Sequence, residues 1–246
     1  MAVPTHKTGL NKTLGQKSSA IYSTNLTGNF DPTAGIASTH WTNQAASNAL
    51  RRYNGITFNN STPKNFEFDG TNDFLGEASS GYGGTAFTII TSSAFTVAQW
   101  YKHKTGSRHM AFGIVYSGSD IVFLSTGHRV ANKMSVENDG GTRIDFDYTF
   151  SNNTWYYVAL VYHGSNNFSF FVNGSFVGSG SLTIGGVSGA IVQIGKIAGS
   201  TFTQAGIKVG NVHSYSSALG GSALRQNFLA TQSINNLRRY GNNYTA

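Results

Sequence analysis

Two pairs of carboxylates stand two residues apart in this chain, Glu67-Phe-Asp69 and Asp145-Phe-Asp147. On an extended strand, positions i and i+2 share a face, so each pair could present two acids together. Glycoside hydrolysis uses such a pair, ~5–5.5 Å apart when the second acid attacks the sugar and ~6.5–9.5 Å apart when it activates water. Here Asp145 and Asp147 follow Arg143, which suits a solvated strand face, while Glu67 and Asp69 run into the oxygen-rich turn Gly70-Thr-Asn-Asp73. That turn raises a second chemistry. Asp69, Asn72 and Asp73 could give oxygens to a calcium ion, which takes six to eight. The reading favoured here is plainer: Asn and Asp side chains bond nearby backbone and close the turn.

The other reactive side chains are dispersed. His103 and His109 flank Lys104-Thr-Gly-Ser-Arg108, a basic hairpin loop, and no further His or carboxylate stands at zinc-ligand spacing. There is no cysteine, hence no thiolate site and no disulfide. No glycine-rich segment follows a strand and opens a helix with a lysine, as a phosphate cradle would. No Gly-x-Ser-x-Gly elbow occurs, and Gly178-Ser-Gly-Ser-Leu182 reads as the exit of a hairpin. The expectation is a chain without catalytic residues, metal or cofactor. Recognition by rings is what remains. Tyr53, Tyr82, Tyr101, Tyr116 and Tyr240 are candidate exposed aromatics, and Tyr82 and Tyr101 are expected to meet a glycan. Most Phe and Trp are expected in the core, because large rings dominate buried area.

The elements that must position these groups read as strands. The chain has 12 Tyr, 17 Phe and 30 Gly but only 3 Pro, which favours β-structure over helix. From about residue 54, short apolar segments alternate with Gly, Asn and Ser; the longest are Phe95–Tyr101, Ala111–Tyr116, Trp155–His163 and Ala205–Tyr215. Many short strands at such spacing indicate a sandwich or barrel. Asn173-Gly174, between Phe168–Val172 and Ser175–Ser179, supplies the two positive-φ positions of a type I′ hairpin turn. Trp155–Tyr162 is apolar on both faces, so a second layer or a partner must cover its outer side. One helix is expected over Gly220–Phe228, with Leu219, Leu224 and Phe228 on one stripe.

Charged residues are 11% of the chain, under half of the usual ~25%, and the net charge is +7. The charge is uneven. Residues 1–30 hold Lys7, Lys12 and Lys17 and no acid; residues 148–246 hold Lys196, Lys208, Arg225, Arg238 and Arg239 and no acid. An acidic partner suits that asymmetry. Nucleic acid is not expected, since the cations stand singly and form no stripe. Nor is a membrane: no stretch approaches the ~20 apolar residues of a span, and residues 1–30 show no signal-like apolar run. Residues 1–20 are polar and basic, with too little apolar surface to offset their own ordering entropy. The arm and the tail Tyr240–Ala246 are therefore expected to settle on neighbouring subunits.

Three ordered blocks carry a family resemblance. The first is Asn54-Gly-Ile-Thr-Phe-Asn59 with Phe66-Glu-Phe-Asp-Gly-Thr-Asn-Asp-Phe74. The second runs from Phe95-Thr-Val-Ala-Gln-Trp100 through Asn153-Thr-Trp-Tyr-Tyr-Val-Ala-Leu-Val-Tyr-His-Gly164 to Phe168-Ser-Phe-Phe-Val-Asn-Gly-Ser-Phe-Val-Gly178. The third is Gln193-Ile-Gly195, Gly206-Ile-Lys-Val209, Tyr215-Ser-Ser-Ala-Leu219 and Arg225-Gln-Asn-Phe228. Together they resemble the laminin-G-like, concanavalin-A-like jelly-roll family over roughly residues 40–230. The resemblance implies an all-β fold, a two-sheet antiparallel sandwich with one short C-terminal helix. It divides the chain into an arm (1–20), the sandwich (21–235) and a tail (236–246). Members include lectins, glucanases and structural proteins of tailed bacteriophages. His163-Gly164 replaces the family's Asp-Gly, which weakens a carried-over calcium site, and no third acid completes the glucanase signature.

The expectation is a non-enzymatic virion protein of a tailed bacteriophage, decorating the capsid or built into a tail appendage, assembled in the host cytoplasm. Its expected partners are other capsid or tail subunits and copies of itself, met through Lys7, Lys12, Lys17, Arg238, Arg239 and Tyr240. Two alternatives stand beside it: a lectin contacting host-surface glycans, and, less favoured, a glucanase-like hydrolase.

Overall fold

The computed structural model describes residues 20–76, 88–89, 92–106, 109–116, 119–127, 130–138, 140–186, 189–197, 200–201 and 207–234. In chain order the first strands are β1 (Leu26–Phe30), β2 (His40–Thr42), β3 (Ala49–Tyr53), β4 (Thr57–Asn59), β5 (Asn65–Glu67), β6 (Phe74–Gly76) and β7 (Thr88–Ile89). Then come β8 (Phe95–Lys102), β9 (His109–Tyr116), β10 (Ser119–Thr126), β11 (Lys133–Glu137), β12 (Arg143–Thr149) and β13 (Trp155–Tyr162). The last are β14 (Asn167–Val172), β15 (Ser175–Ser181), β16 (Ala190–Gln193), β17 (Lys196–Ile197), β18 (Ser200–Thr201), β19 (Lys208–Tyr215) and the helix α1 (Gly221–Ile234).

Two antiparallel sheets stack face to face. The larger has the order β15-β14-β13-β8-β19-β5-β4, and the smaller β12-β11-β10-β9-β16-β7. β2, β3 and β6 form a third, three-stranded sheet. One edge of β19 is shared: β5 pairs with Lys208 and Val209, and β1 pairs with Val212 to Tyr215. An irregularity in the pairing of β19 with β8 falls between Val209 and Val212.

Period-two alternation builds the main core. On β8, Phe95, Val97 and Tyr101 turn inward against Phe112, Ile114 and Leu124 of the facing sheet. Ala98 and Trp100 turn outward into a second apolar layer. All eight residues of β13 are buried because both layers claim it. Tyr156, Val158, Leu160 and Tyr162 enter the first layer, and Trp155, Tyr157, Ala159 and Val161 the second. The cover expected over its outer side is α1, which lays Leu224 and Phe228 on that layer. Phe228 stacks on Trp100 at 5.4 Å, and the indole N–H of Trp100 donates to Thr231 Oγ1 at 2.7 Å.

The predicted hairpin forms as expected. Val172 and Ser175 pair across Asn173 (φ 53°) and Gly174 (φ 79°). A Cβ at Gly174 would lie 2.6 Å from Arg225 Cα, so glycine is also required for α1 to approach. The helix runs six residues beyond the expected Phe228, to Ile234. Gly178-Ser-Gly-Ser-Leu182 is not a hairpin exit; its first four residues belong to β15. Strands β1 to β3 had no counterpart among the expected elements, which began near residue 54.

One side chain ties the start of the described chain to its end. Asn227 on α1 accepts from Tyr22 N at 2.7 Å and donates to Tyr215 Oη at 2.8 Å, while Tyr215 Oη donates to Tyr22 O at 2.9 Å. Gln226 adds a bond to Ala20 O. The expected arm and tail, with Lys7, Lys12, Lys17, Arg238, Arg239 and Tyr240, lie outside the described residues.

Candidate functional site

A cavity of about 570 Å³ opens at one end of the sandwich, where β8 begins and β19 ends. Leu26, Ala46, Ala94 and Phe95 supply apolar lining, and Thr27, Asn48, Ser93 and Ser216 supply hydroxyl and amide groups. Among the described residues, neither a carboxylate nor a cationic side chain lines it. Its outer wall is the turn between β2 and β3, held by Asn43, whose side chain is buried. Asn43 Oδ1 accepts from Asn29 N at 2.8 Å and from Ala45 N at 2.9 Å. Its Nδ2 donates to Thr27 O at 2.9 Å and to the Asn48 side chain. A buried amide with every hydrogen-bonding direction used fixes a loop more firmly than apolar packing of the same size. On the β1 side, Thr27 Oγ1 is engaged by Ser214 Oγ at 2.7 Å. The surface thus offers hydroxyls, amides and small apolar patches without formal charge, a set suited to a neutral polyol whose ring has one apolar face.

The carboxylates considered for hydrolysis are otherwise employed. β5 ends at Glu67, so Asp69 falls in the following turn and the two acids do not share a strand face as expected. Glu67 Oε2 lies 2.8 Å from Lys208 Nζ. Asp69 Oδ1 accepts from Thr71 N (2.8 Å) and Asn72 N (3.3 Å), and bonding led by the Thr71 amide lowers its pKa. Asp73 turns inward; its Oδ2 accepts from Asp69 N at 2.9 Å, and burial raises its pKa. This is the turn-closing arrangement favoured from sequence. Asp145 pairs with Arg143 (3.0 Å) and Asp147 with Lys133 (2.5 Å) on an exposed strand face.

The expectation for Tyr101 is overturned. Position 101 falls on the inward face of β8, and its ring is fully buried, so no glycan reaches it. It stacks on His109 at 5.1 Å and meets Phe150 edge-on at 5.6 Å. His103 and His109, which flank the 104–108 segment, are both buried beside it. Burial lowers the His109 pKa to about 3 and lowers that of His103. A third imidazole, His213, lies under α1 with Nδ1 2.9 Å from Tyr157 Oη, and burial takes it to about 3. Tyr53 is half-buried, stacked on Phe74 at 4.2 Å. Of the candidate exposed tyrosines only Tyr116 is seen exposed; Tyr82 and Tyr240 lie outside the described residues. The cavity itself was not anticipated. Its one sequence signal is the pair of asparagines bracketing Gln44 to Ser47.

The sequence profile described as the concanavalin A-like lectin/glucanases superfamily matches residues 75–224. No curated protein matches the chain. Among solved structures, a Trypanosoma rangeli sialidase in complex with 2,3-difluorosialic acid superposes with a TM-score of 0.65 at 16% identity, covering 87% of this chain and 34% of the sialidase. The binding domain of botulinum neurotoxin DC in complex with SialylT superposes with a TM-score of 0.60 at 8% identity, covering 83% of this chain and 50% of that one. The botulinum neurotoxin type G receptor binding domain gives 0.58 at 10%, covering 83% and 51%. The chain thus spans about a third to a half of these neighbours, and at such identity the likeness is one of fold.

Proposed function

The chain belongs to the concanavalin A-like lectin/glucanase superfamily, and from that premise we propose that it is a non-catalytic recognition module whose end cavity takes an uncharged sugar unit of a glycan. The observation that carries this reading is the cavity of about 570 Å³, lined by hydroxyl, amide and small apolar groups without a formal charge. Two fold neighbours were captured with a sialic acid derivative or with SialylT, which supports a glycan as the ligand class. A hydrolase would need two carboxylates facing one bond. Glu67, Asp145 and Asp147 are each in ion pairs, and Asp69 closes a turn. The test is a glycan array with the full chain and with Ala46→Trp, which fills the cavity from an exposed position. Glycan binding lost in Ala46→Trp at unchanged melting temperature supports the reading. Binding that ignores the substitution, or no binding to any glycan, defeats it. Release of sugar from laminarin or agarose, lost in Asp69→Asn, would point to a hydrolase instead.

A second reading has its own observation. The ends of the sequence are basic and free of acid, with Lys7, Lys12 and Lys17 on one side and Arg238 and Arg239 on the other. Such ends suit an assembly role on an acidic neighbour, as in a capsid-decorating or tail-appendage protein of a tailed bacteriophage. Copies per purified particle in multiples of capsid or tail symmetry would support it; a chain found only free in the medium would count against it.

A further inference from the structure

Five residues stand in one line across the outer face of the large sheet. Trp155, Lys102, Lys208, Glu67 and Thr57 are successive Cα partners on β13, β8, β19, β5 and β4. Directly opposed residues of an antiparallel pair project to the same side, on strands ~4.8 Å apart. Two lysines are therefore held side by side, an arrangement that costs stability when nothing neutralises it. The single carboxylate in the line, Glu67, is taken by Lys208 at 2.8 Å. Lys102 has no carboxylate at ion-pair distance among the described residues. Burial first, and then the neighbouring Lys208, depress its pKa from the ordinary lysine value, against a smaller opposing pull from Glu67.

Among the described residues, the surroundings supply no second acid. The line lies two residues along β8 from Trp100, which α1 covers through Phe228 and Thr231. On the same face, Ala20 is bonded to Gln226 of α1, and α1 ends at Ile234.

We infer that the helix-bearing face of the large sheet is a docking surface for an acidic protein, with a partner carboxylate seated on Lys102 beside Lys208. One net positive charge in the line matches one carboxylate. A phosphate polymer fits less well, because a second phosphate along the same line would meet Glu67. A single uncompensated cation on the face matches an isolated carboxylate on a protein surface, not the close repeat of a nucleic acid. The inference does not depend on the end cavity, which lies at the opposite ends of β8 and β19.

The experiment uses the full chain and a fluorescent poly-glutamate peptide, read by anisotropy at low salt. Lys102→Gln should weaken binding about tenfold, the scale of one lost charge-assisted contact. Glu67→Gln, which removes the repelling acid and frees Lys208, should strengthen it. Lys64→Gln, off the line, serves as the control and should match the parent. The proposal is overturned if Lys102→Gln behaves like the control, if Glu67→Gln weakens binding, or if a DNA duplex binds more tightly than the peptide with the same dependence on Lys102. Circular dichroism of each variant confirms the fold, and glycan binding at the end cavity is scored separately.

Discussion

β8 and β19 run antiparallel through the middle of the large sheet, and their two ends are built from opposite materials. At one end Phe95 and Tyr215 border a neutral cavity of hydroxyls, amides and small apolar groups. At the other, about 23 Å away by strand rise, Lys102 and Lys208 stand side by side with one carboxylate between β19 and β4. The same ladder serves both because side-chain direction depends only on register, while the surroundings decide what each end presents. The neutral end is walled by a loop that spends its polar groups internally through Asn43. The charged end spends only one of its two cations. A site without formal charge selects by shape and neutral hydrogen bonding, and one with an uncompensated charge selects by electrostatics. The difference suits the two ends to different classes of partner.

Acid should test the two ends most severely, because each holds a buried imidazole: His213 lies two residues from Tyr215, and His109 stacks on Tyr101 next to Lys102. Both have pKa values near 3 in the folded chain, against ~6.5 unfolded. Between those values the unfolded chain binds more protons, so stability falls as pH drops from about 6.5 toward 3, and above that window these groups contribute no pH dependence. The expected loss is roughly 2 kcal/mol per histidine by pH 5, read as a falling denaturation midpoint. A midpoint flat from pH 7 to 4 would contradict the burial of both rings, and His109→Gln should remove roughly 2 kcal/mol of the loss seen by pH 5.

Next in size is Asn43→Ala, expected to cost about 2 kcal/mol by stranding Asn29 N and Thr27 O. It should lower glycan affinity while leaving poly-glutamate binding intact; a loss at both ends would mean the ends are coupled. The complementary change, Lys102→Gln, should leave glycan binding untouched. Smallest is Lys133→Ala on the opposite sheet. It removes a pair with Asp147, which is 95% exposed, and should shift the melting temperature negligibly and affect neither ligand.

The sequence disclosed what is local. Asn173-Gly174 announces its turn because both positive-φ positions are adjacent, and Trp155–Tyr162 announces two covering layers because neither face is polar. The cavity could not be read this way: its walls come from residues 26–27, 45–48, 93–95 and 215–216, brought together only by the fold. β1 to β3 escaped notice because Gly28, Asn29, Arg51 and Arg52 interrupt the apolar alternation. Tyr101 was misplaced for a related reason. A phenol is compatible with surface or core, and only its phase with Val97 on β8 settles which. The Lys102–Lys208 juxtaposition likewise needed the strand register, since 106 positions separate the two residues.

The triangle of Tyr22, Tyr215 and Asn227 bears on how the molecule comes to exist. A backbone amide near the start of the described chain waits for an acceptor 205 positions later. During synthesis, the segment at Tyr22 stays without its final mate until α1 has left the ribosome. Closing so wide a span costs loop entropy before any contact repays it, which slows completion of the native state. The finished triangle then couples the segment at Tyr22 to α1.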